Sequence, residues 1–532
     1  MIRVRLNLSR VRLVVAILLG VLALAMAGEK TVEPEKQAPA AVRGREIYRT
    51  GIPLDGPPLT ASVGSPAMEV PASILKCVNC HGQDGRGQVE GGIAPANIRW
   101  EELTKPSGSG AAGRRQRTAY SSTLLIRAIA SGLDASGNRL DPAMPRYHLT
   151  HEQAADLVAY LEVLGREADP GVTETSLKIG VVLPPASVTG SARAIREVIA
   201  AFVLQVNEQG GFYGRKLRLS FVTSPDDVEA RAGAIRDFVE TEQPFALISS
   251  YVVGCEEEVG RYLEENRIPL IGPIALYAKD EPSRHRHVFH LVAGLAGQGE
   301  ALGRFAAQLP ELSHSAALMV RREGDDEIRA LSVTIGKRLM DGGWVAARDV
   351  ALTETSTPDW AALLRSGDTC SVFWFAPASG LDEFYRAAVK AGSYPFLFAP
   401  SVLAGNELLS APAGFAGRIF SSFPTLPSDQ TSAGRSELLK LASEGHVFDG
   451  SFPRMALSSA KLLVHGLRQM GKEVSREKLV ETLENLYDYN TEQTPAVTFT
   501  RNRRVGAGGA HVVGVDVQRK SLVLPSTWVP LN

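Results

Sequence analysis

The sequence predicts a multidomain protein in which a small N-terminal domain precedes a large α/β half. Three observations carry that expectation. The chain has 532 residues, enough for several folding units at ~150 residues each. A Cys-x-x-Cys-His run stands at residues 77–81. From residue 177 onward, short apolar segments alternate with amphipathic ones, the mark of strands and helices in a parallel sheet. Hydrophobic residues make up 44% and charged residues 22% of the chain, a globular balance that excludes wholesale disorder. A net charge of -1 provides no overall basic field for nucleic acid. Four cysteines in 532 residues cannot build a disulfide framework.

The chain opens with Arg3, Arg5, Arg10 and Arg12 and no acid, then an apolar run over residues 13–27 that ends Ala25-Met26-Ala27. Basic start, short apolar run and small-x-small site together read as a secretory signal peptide, residues 1–27. The run is shorter than the ~20 residues that span a bilayer, so cleavage is favoured over an uncleaved anchor. Both readings place the rest outside the cytoplasm, in the periplasm. No later stretch is apolar enough to span a membrane. Residues 28–42, rich in Pro, Ala and charge, read as a flexible linker.

Cys77-Val78-Asn79-Cys80-His81 is the pattern for c-type haem attachment. Two thiols at this spacing can each add to one vinyl group of a haem. The histidine that follows then lies beneath the iron and offers a ring nitrogen. A zinc site would need two further ligands nearby, and only His148 and His151 are candidates. A thioredoxin-like motif would sit in a βαβ setting, which this region lacks. One covalently bound haem c is therefore expected. Its second axial ligand is read as Met144, in the proline-flanked run Ala143-Met144-Pro145-Arg146-Tyr147. Met/His ligation raises the reduction potential and suits electron transfer. Met68 is a weaker choice, and His148 or His151 would give a lower potential.

With these residues in place, residues 43–166 resemble a class I cytochrome c domain, which implies an all-α fold. Gly44-Arg45-Glu46-Ile47-Tyr48 looks like the family's first helix. The segment 151–164 looks like its last, with Leu157, Tyr160, Leu161 and Leu164 at helical spacing and Thr150 as N-cap. The resemblance implies that Gly44 lets these helices cross closely, with Tyr48 and Tyr160 packed around it. It also implies that the Pro95 carbonyl orients His81. Arg114, Arg115 and Arg117 lie in a Gly/Ser-rich loop and read as solvated, with docking of an acidic redox partner as the alternative.

Residues 167–176, EADPGVTETS, read as a second linker. Strands follow at 177–183, 216–222, 245–250 and 268–273, with helices at 192–211, 226–240 and 256–266 between them. The alternation restarts at Ser315, with a helix over 325–341 and strands over 348–352 and 371–377. Sheets of this kind bind ligands at the carboxyl ends of their strands.

Residues 177–525 resemble the type I periplasmic solute-binding proteins, in the branch that takes branched-chain amino acids for ABC importers. The carrying segments are KIGVVLP, NEQGGFYGRKLRL, PFALISSYVVGCEEEVGRYLEENRIPLIGPIA and DYNTEQTPAVTFTRNRRVGAGGAHVVGV. The resemblance implies a two-lobed α/β fold that closes over a ligand by hinge motion. Lobe one is expected at about 177–290 and 419–495, and lobe two at about 291–418 and 496–525. The family's hydroxyl donors are replaced here by Val252-Val253-Gly254 and by Ala275-Leu276. A carboxylate buried against them would stay unpaired, which argues against an amino-acid ligand. Ser187, Thr189, Ser250, Tyr251, Tyr277, Asp325 and Phe375 are the candidate cleft residues. Cys255 and Cys370 are read as separate buried thiols.

These readings combine into an exported electron carrier rather than an enzyme. Its expected partners are a periplasmic dehydrogenase as donor and a cytochrome or oxidase as acceptor, with a small molecule in the cleft of a solute-binding, sensing or docking module. Fusions of this kind suggest a quinoprotein alcohol dehydrogenase system. The alternative is an ABC-importer binding protein with an ancillary haem. A haem enzyme would need an open iron position.

Overall fold

The computed structural model describes residues 39–64, 67–82, 84–87, 95–106, 116–165, 168–188, 190–312, 314–353, 358–365, 369–442 and 450–531. The chain divides into two compact units, one ending at Glu167 and one beginning at Ala168.

The first unit is built on two helices, Pro39–Thr50 and His151–Val163. The first begins inside the segment expected to be linker, because Pro39-Ala40-Ala41-Val42 supply its opening turn. The pair packs backbone to backbone at Gly44. A Cβ there would lie 1.9 Å from the Asp156 carbonyl oxygen, so only glycine fits. Around this contact the Tyr48 and Tyr160 rings sit 5.4 Å apart. Arg43 forks onto the Asp156 carboxylate through bonds of 2.8 and 2.7 Å. The second helix starts with a full capping box: Thr150 Oγ1 accepts from the Gln153 N–H, and the Gln153 side chain accepts from the Thr150 N–H. The helices are joined by a small antiparallel sheet in the order β2-β1-β3, from Thr60–Val63 (β1), Met68–Pro71 (β2) and Arg146–Tyr147 (β3). Periodicity does not reveal strands this short.

The second unit has two sheets. Ser176–Leu183 (β4), Lys216–Thr223 (β5), Ala246–Ile248 (β6), Leu270–Ile271 (β7) and Val288–Phe289 (β8) form a parallel sheet in the order β5-β4-β6-β7-β8. The inner strands β6 and β7 and the short β8 are wholly buried apolar runs, as in a sheet covered by helices, whereas the edge strand β5 begins with exposed Lys216 and Arg218. The other sheet has Ala316–Arg322 (β9), Ala346–Leu352 (β10), Thr369–Phe375 (β11), Phe396–Pro400 (β12) and Ile419–Phe423 (β13) in parallel. Gly509–Asp516 (β14) and Ser521–Pro530 (β15) close it antiparallel, giving the order β10-β9-β11-β12-β13-β14-β15.

Three corrections to the expected boundaries follow. Strand β13 hydrogen-bonds to β12 and β14, so residues 419–423 belong to lobe two, and the chain returns to lobe one only afterwards. There the helix Ser451–Met470 buries Leu457, Leu462, Leu463 and Leu467 against the helix Ser191–Glu208. Residues 496–507 also stay with lobe one, since Val497, Phe499 and Ala507 share that core. The chain re-enters lobe two at β14. The segment 168–175, read as linker, is laid onto lobe one. Asp169 accepts from the Arg476 N–H at 2.5 Å, and a Cβ on Gly171 would meet the Phe245 amide at 2.4 Å. Among the described residues no helix is long and apolar enough to cross a membrane. Residues 1–38, including the expected signal peptide, lie outside the described residues.

Candidate functional site

The CVNCH residues form a short helix of their own, Cys77–His81, that ends at Gly82 in a positive-φ conformation, 73°. The thiols, three residues apart, lie on neighbouring turns of one face. Neither is in a disulfide. The His81 Nδ1 lies 3.0 Å from a backbone carbonyl oxygen. A carbonyl only accepts, so Nδ1 carries the proton and Nε2 is left with its lone pair. Burial lowers the His81 pKa, against a smaller rise from that backbone bond, which keeps the ring neutral. Orienting one ring nitrogen while freeing the other is how proteins prepare a histidine for metal. The carbonyl belongs to Ala96, one residue beyond the expected Pro95. The Pro95 carbonyl is instead pressed against Gly87, where a Cβ would lie 2.4 Å from it.

Two tyrosines fix the surroundings. Tyr48 Oη donates to the Gly82 carbonyl at 2.6 Å, tying the first helix to the end of the CVNCH helix. Tyr147 Oη donates to the Leu75 carbonyl. Burial pushes the Cys77 thiol up to about 11. Met144 is half-buried on a turn. Asp141 shapes that turn: its Oδ1 accepts from the Ala143 N–H at 2.9 Å and its carbonyl from the Met144 N–H at 3.1 Å. The competing ligands are placed differently. Met68 is 62% exposed on β2. The His148 ring bonds Ser62 at 3.0 Å and Thr60 at 3.3 Å. Two unbridged thiols, a neutral oriented histidine and a turn presenting a methionine fit a covalently held haem. Arg117 is structural: its guanidinium donates to the carbonyls of Glu102, Leu103, Lys105 and Thr118. Arg114 and Arg115 lie outside the described residues.

In the second unit the candidate cleft residues scatter. Tyr277 and Asp325 come together: the Tyr277 hydroxyl, on the loop after β7, donates to Asp325 Oδ2 at 2.6 Å. The other Asp325 oxygen caps the helix Asp326–Asp341 through the Ile328 N–H at 3.0 Å. Beside them Lys279 bridges Glu257 of lobe one at 3.2 Å and Glu327 of lobe two at 2.8 Å. Sequence reasoning passed over Lys279; its signal is a lone lysine two residues beyond a candidate tyrosine. Ser187 is exposed, and its N–H bonds Asp226 at 3.2 Å.

Ser250 and Phe375 are corrected. The Ser250 hydroxyl is wholly buried and spent on backbone, accepting from the Val182 N–H at 3.1 Å and donating to the Ile248 carbonyl at 3.2 Å. Phe375 is fully buried in the core of lobe two. Tyr251 is largely buried, with the Arg231 guanidinium 5.2 Å from its ring centroid. Thr189 lies outside the described residues. Cys255 is a buried thiol donating to the Val252 carbonyl at 3.4 Å and pushed up to about 11 by burial. The Cys370 side chain lies outside the described residues.

Comparison with known proteins returned two family models. The periplasmic binding protein model matches residues 176–520, and the cytochrome c model matches residues 72–165. No curated protein matched. Among solved structures, a leucine-binding protein from Thermotoga maritima is 15% identical and covers 66% of this chain and 99% of its own, with a TM-score of 0.54. A branched-chain amino-acid ABC transporter protein from Thermus thermophilus with bound valine is 14% identical, covering 67% and 97%, with a TM-score of 0.51. A fatty-acid ABC transporter substrate-binding protein from Thermomonospora curvata is 15% identical, covering 69% and 94%, with a TM-score of 0.51. At such identities the likeness carries the two-lobed fold and nothing about the ligand. The model spans more than half of the chain, so the chain belongs to the periplasmic binding protein family and carries a cytochrome c domain ahead of its binding-protein fold.

Proposed function

We propose that the protein is an exported one-electron carrier whose binding-protein half recognises a small molecule or docks a partner. The observation that carries this is the His81 ring, held through Nδ1 by the Ala96 carbonyl and left with a free Nε2 beside two unbridged thiols. When bound, a haem there supplies one-electron oxidation and reduction. Cys77 and Cys80 would hold it covalently, and His81 and Met144 would ligate its iron, an arrangement suited to electron transfer. The donor in this reading is a periplasmic dehydrogenase, a quinoprotein alcohol dehydrogenase being one case that fusions of this kind suggest, and the acceptor is a cytochrome or oxidase. The apolar Val252 and Val253 and the committed Ser250 hydroxyl support a solute other than an α-amino acid.

Voltammetry of the whole protein tests the reading, with and without short alcohols, aldehydes and carboxylates. A reversible one-electron wave is expected, and a wave that shifts with one solute would show the two halves to be coupled. Absence of any wave would end the proposal. The second reading, an importer's binding protein, is favoured by the family match. It predicts calorimetric binding of a solute at micromolar affinity or better.

A further inference from the structure

A second cluster of reactive side chains lies where lobe two meets its crossing segments, away from the Tyr277–Asp325 pair. His511 on β14 is 8% exposed, and both of its ring nitrogens are engaged. Nδ1 meets Ser526 Oγ at 2.9 Å, and Nε2 meets Asp429 Oδ1 at 2.8 Å. Asp429 is fixed in turn: its Oδ2 accepts from the Leu426 N–H at 2.7 Å and from the Thr425 hydroxyl at 2.9 Å. Burial alone would raise the Asp429 carboxyl, but the bonds to His511, Leu426 and Thr425 hold it below its ordinary value. An ionised Asp429 accepts only, so His511 Nε2 carries the ring proton. In the neutral ring Nδ1 is then the bare nitrogen, and Ser526 is the donor to it.

The serine sits at an irregularity. The β14–β15 pairing runs from Val512↔Thr527 to Gly514↔Val523, so β15 carries two more residues than β14 across this stretch. Such bulges re-aim side chains out of the regular ladder. The histidine opens onto a cavity of about 500 Å³ lined by Asp429, Thr498, Arg503, Gly508, His511 and Trp528. The Trp528 ring packs edge-on against His511 at 4.8 Å. Arg503 is braced at the cavity wall by bonds from Nε to the Val505 carbonyl at 2.9 Å and from Nη2 to the Gly506 carbonyl at 2.7 Å.

We infer that Ser526, His511 and Asp429 form a nucleophile–base–orienter set that hydrolyses small carboxylic esters reaching the part-exposed Ser526 hydroxyl. Nucleophile, base and a third group that orients the base, each within hydrogen-bond reach, are the structural requirement for an activated serine. His511 uses its nitrogens in the opposite sense to the serine-protease template. Either nitrogen can accept the proton while the other holds the carboxylate. Ser526 Oγ attacks the carbonyl carbon, and its proton passes to His511 Nδ1. The carbon–oxygen bond to the leaving alcohol breaks, and the alcohol departs with that proton. Water then attacks the acyl-serine and gives its proton to Nδ1. The acid is released as Ser526 Oγ recovers the proton. Ester and water yield acid and alcohol, with no redox change.

The test treats the whole matured protein with a fluorophosphonate probe and maps the adduct by mass spectrometry, alongside turnover of p-nitrophenyl acetate and butyrate. Phosphonylation of Ser526 is expected, lost in Ser526→Ala and in His511→Ala. Ester turnover should fall at least tenfold in each variant. Circular dichroism and the visible spectrum of Ser526→Ala should match the parent, showing that folding is unchanged. No adduct on Ser526 at saturating probe, or turnover unchanged in a folded Ser526→Ala, would overturn the assignment.

Discussion

His81 shows how much a single hydrogen bond can decide. Its bond to the Ala96 carbonyl fixes the tautomer, and burial keeps the ring uncharged, so the nitrogen facing away from Ala96 is ready to bind a metal. Replacing Met144 by Ala should remove the long-wavelength absorption expected of methionine-ligated ferric haem and lower the potential. Persistence of that band would move the ligand assignment elsewhere. Arg504 is fully buried with its guanidinium 2.5 Å from Glu484. Glu484 also pairs with Arg286 at 2.9 Å. Removing one partner leaves buried charge uncompensated. Glu484→Ala should therefore destabilise the second unit by about 3–5 kcal/mol in denaturant unfolding. A loss below about 1 kcal/mol would show that solvent reaches the pair.

Elements carry different predictions. The helix pair of the first unit depends on Gly44, whose missing Cβ is the contact itself. Gly44→Ala must push the helices apart and should cost about 1–3 kcal/mol or more, read as a lower melting temperature of the first unit. The segment after β8 carries His290, which burial pushes down to about 4. Its folded pKa lies below the ordinary value of about 6.5, so the unfolded chain binds this proton first. The contribution is complete above about pH 6.5 and is lost as pH falls towards about 4, roughly 3 kcal/mol in all. His290→Asn should flatten the acid side of the stability profile in that window, and an unchanged slope would contradict the assignment.

Elements also show what could be read in advance. The CVNCH helix, the terminal helix pair and the strand–helix alternation were legible because each has a local signature: a spacing, a 3.6-residue period, an apolar run. The fate of Ser250 was not, because nothing in Ile248-Ser249-Ser250 says that its hydroxyl is consumed by the Val182 amide of another strand. Phe375 lies in the core rather than the cleft for a related reason: the end of a strand at a cleft and the middle of a core look alike in one dimension. The one-residue step from Pro95 to Ala96, and the place where the chain re-enters lobe one, depend on turn geometry and sheet order that periodicity does not encode.

At the scale of the whole molecule, the binding-protein half has its lobes tied by Tyr277–Asp325 and by Lys279 between Glu257 and Glu327. Both contacts must break for a hinge to open. Tyr277→Phe should speed amide exchange around residues 276–279 and 323–328, and unchanged protection there would show that the pair does not hold the lobes. The central claim is that this chain carries a covalently attached haem and moves single electrons outside the cytoplasm. Acidified-acetone extraction of the exported, matured protein tests it most directly. The account predicts that the colour stays with the polypeptide, together with the added mass of one haem on the peptide containing Cys77 and Cys80. A colourless protein, or pigment that passes into the solvent, would contradict it.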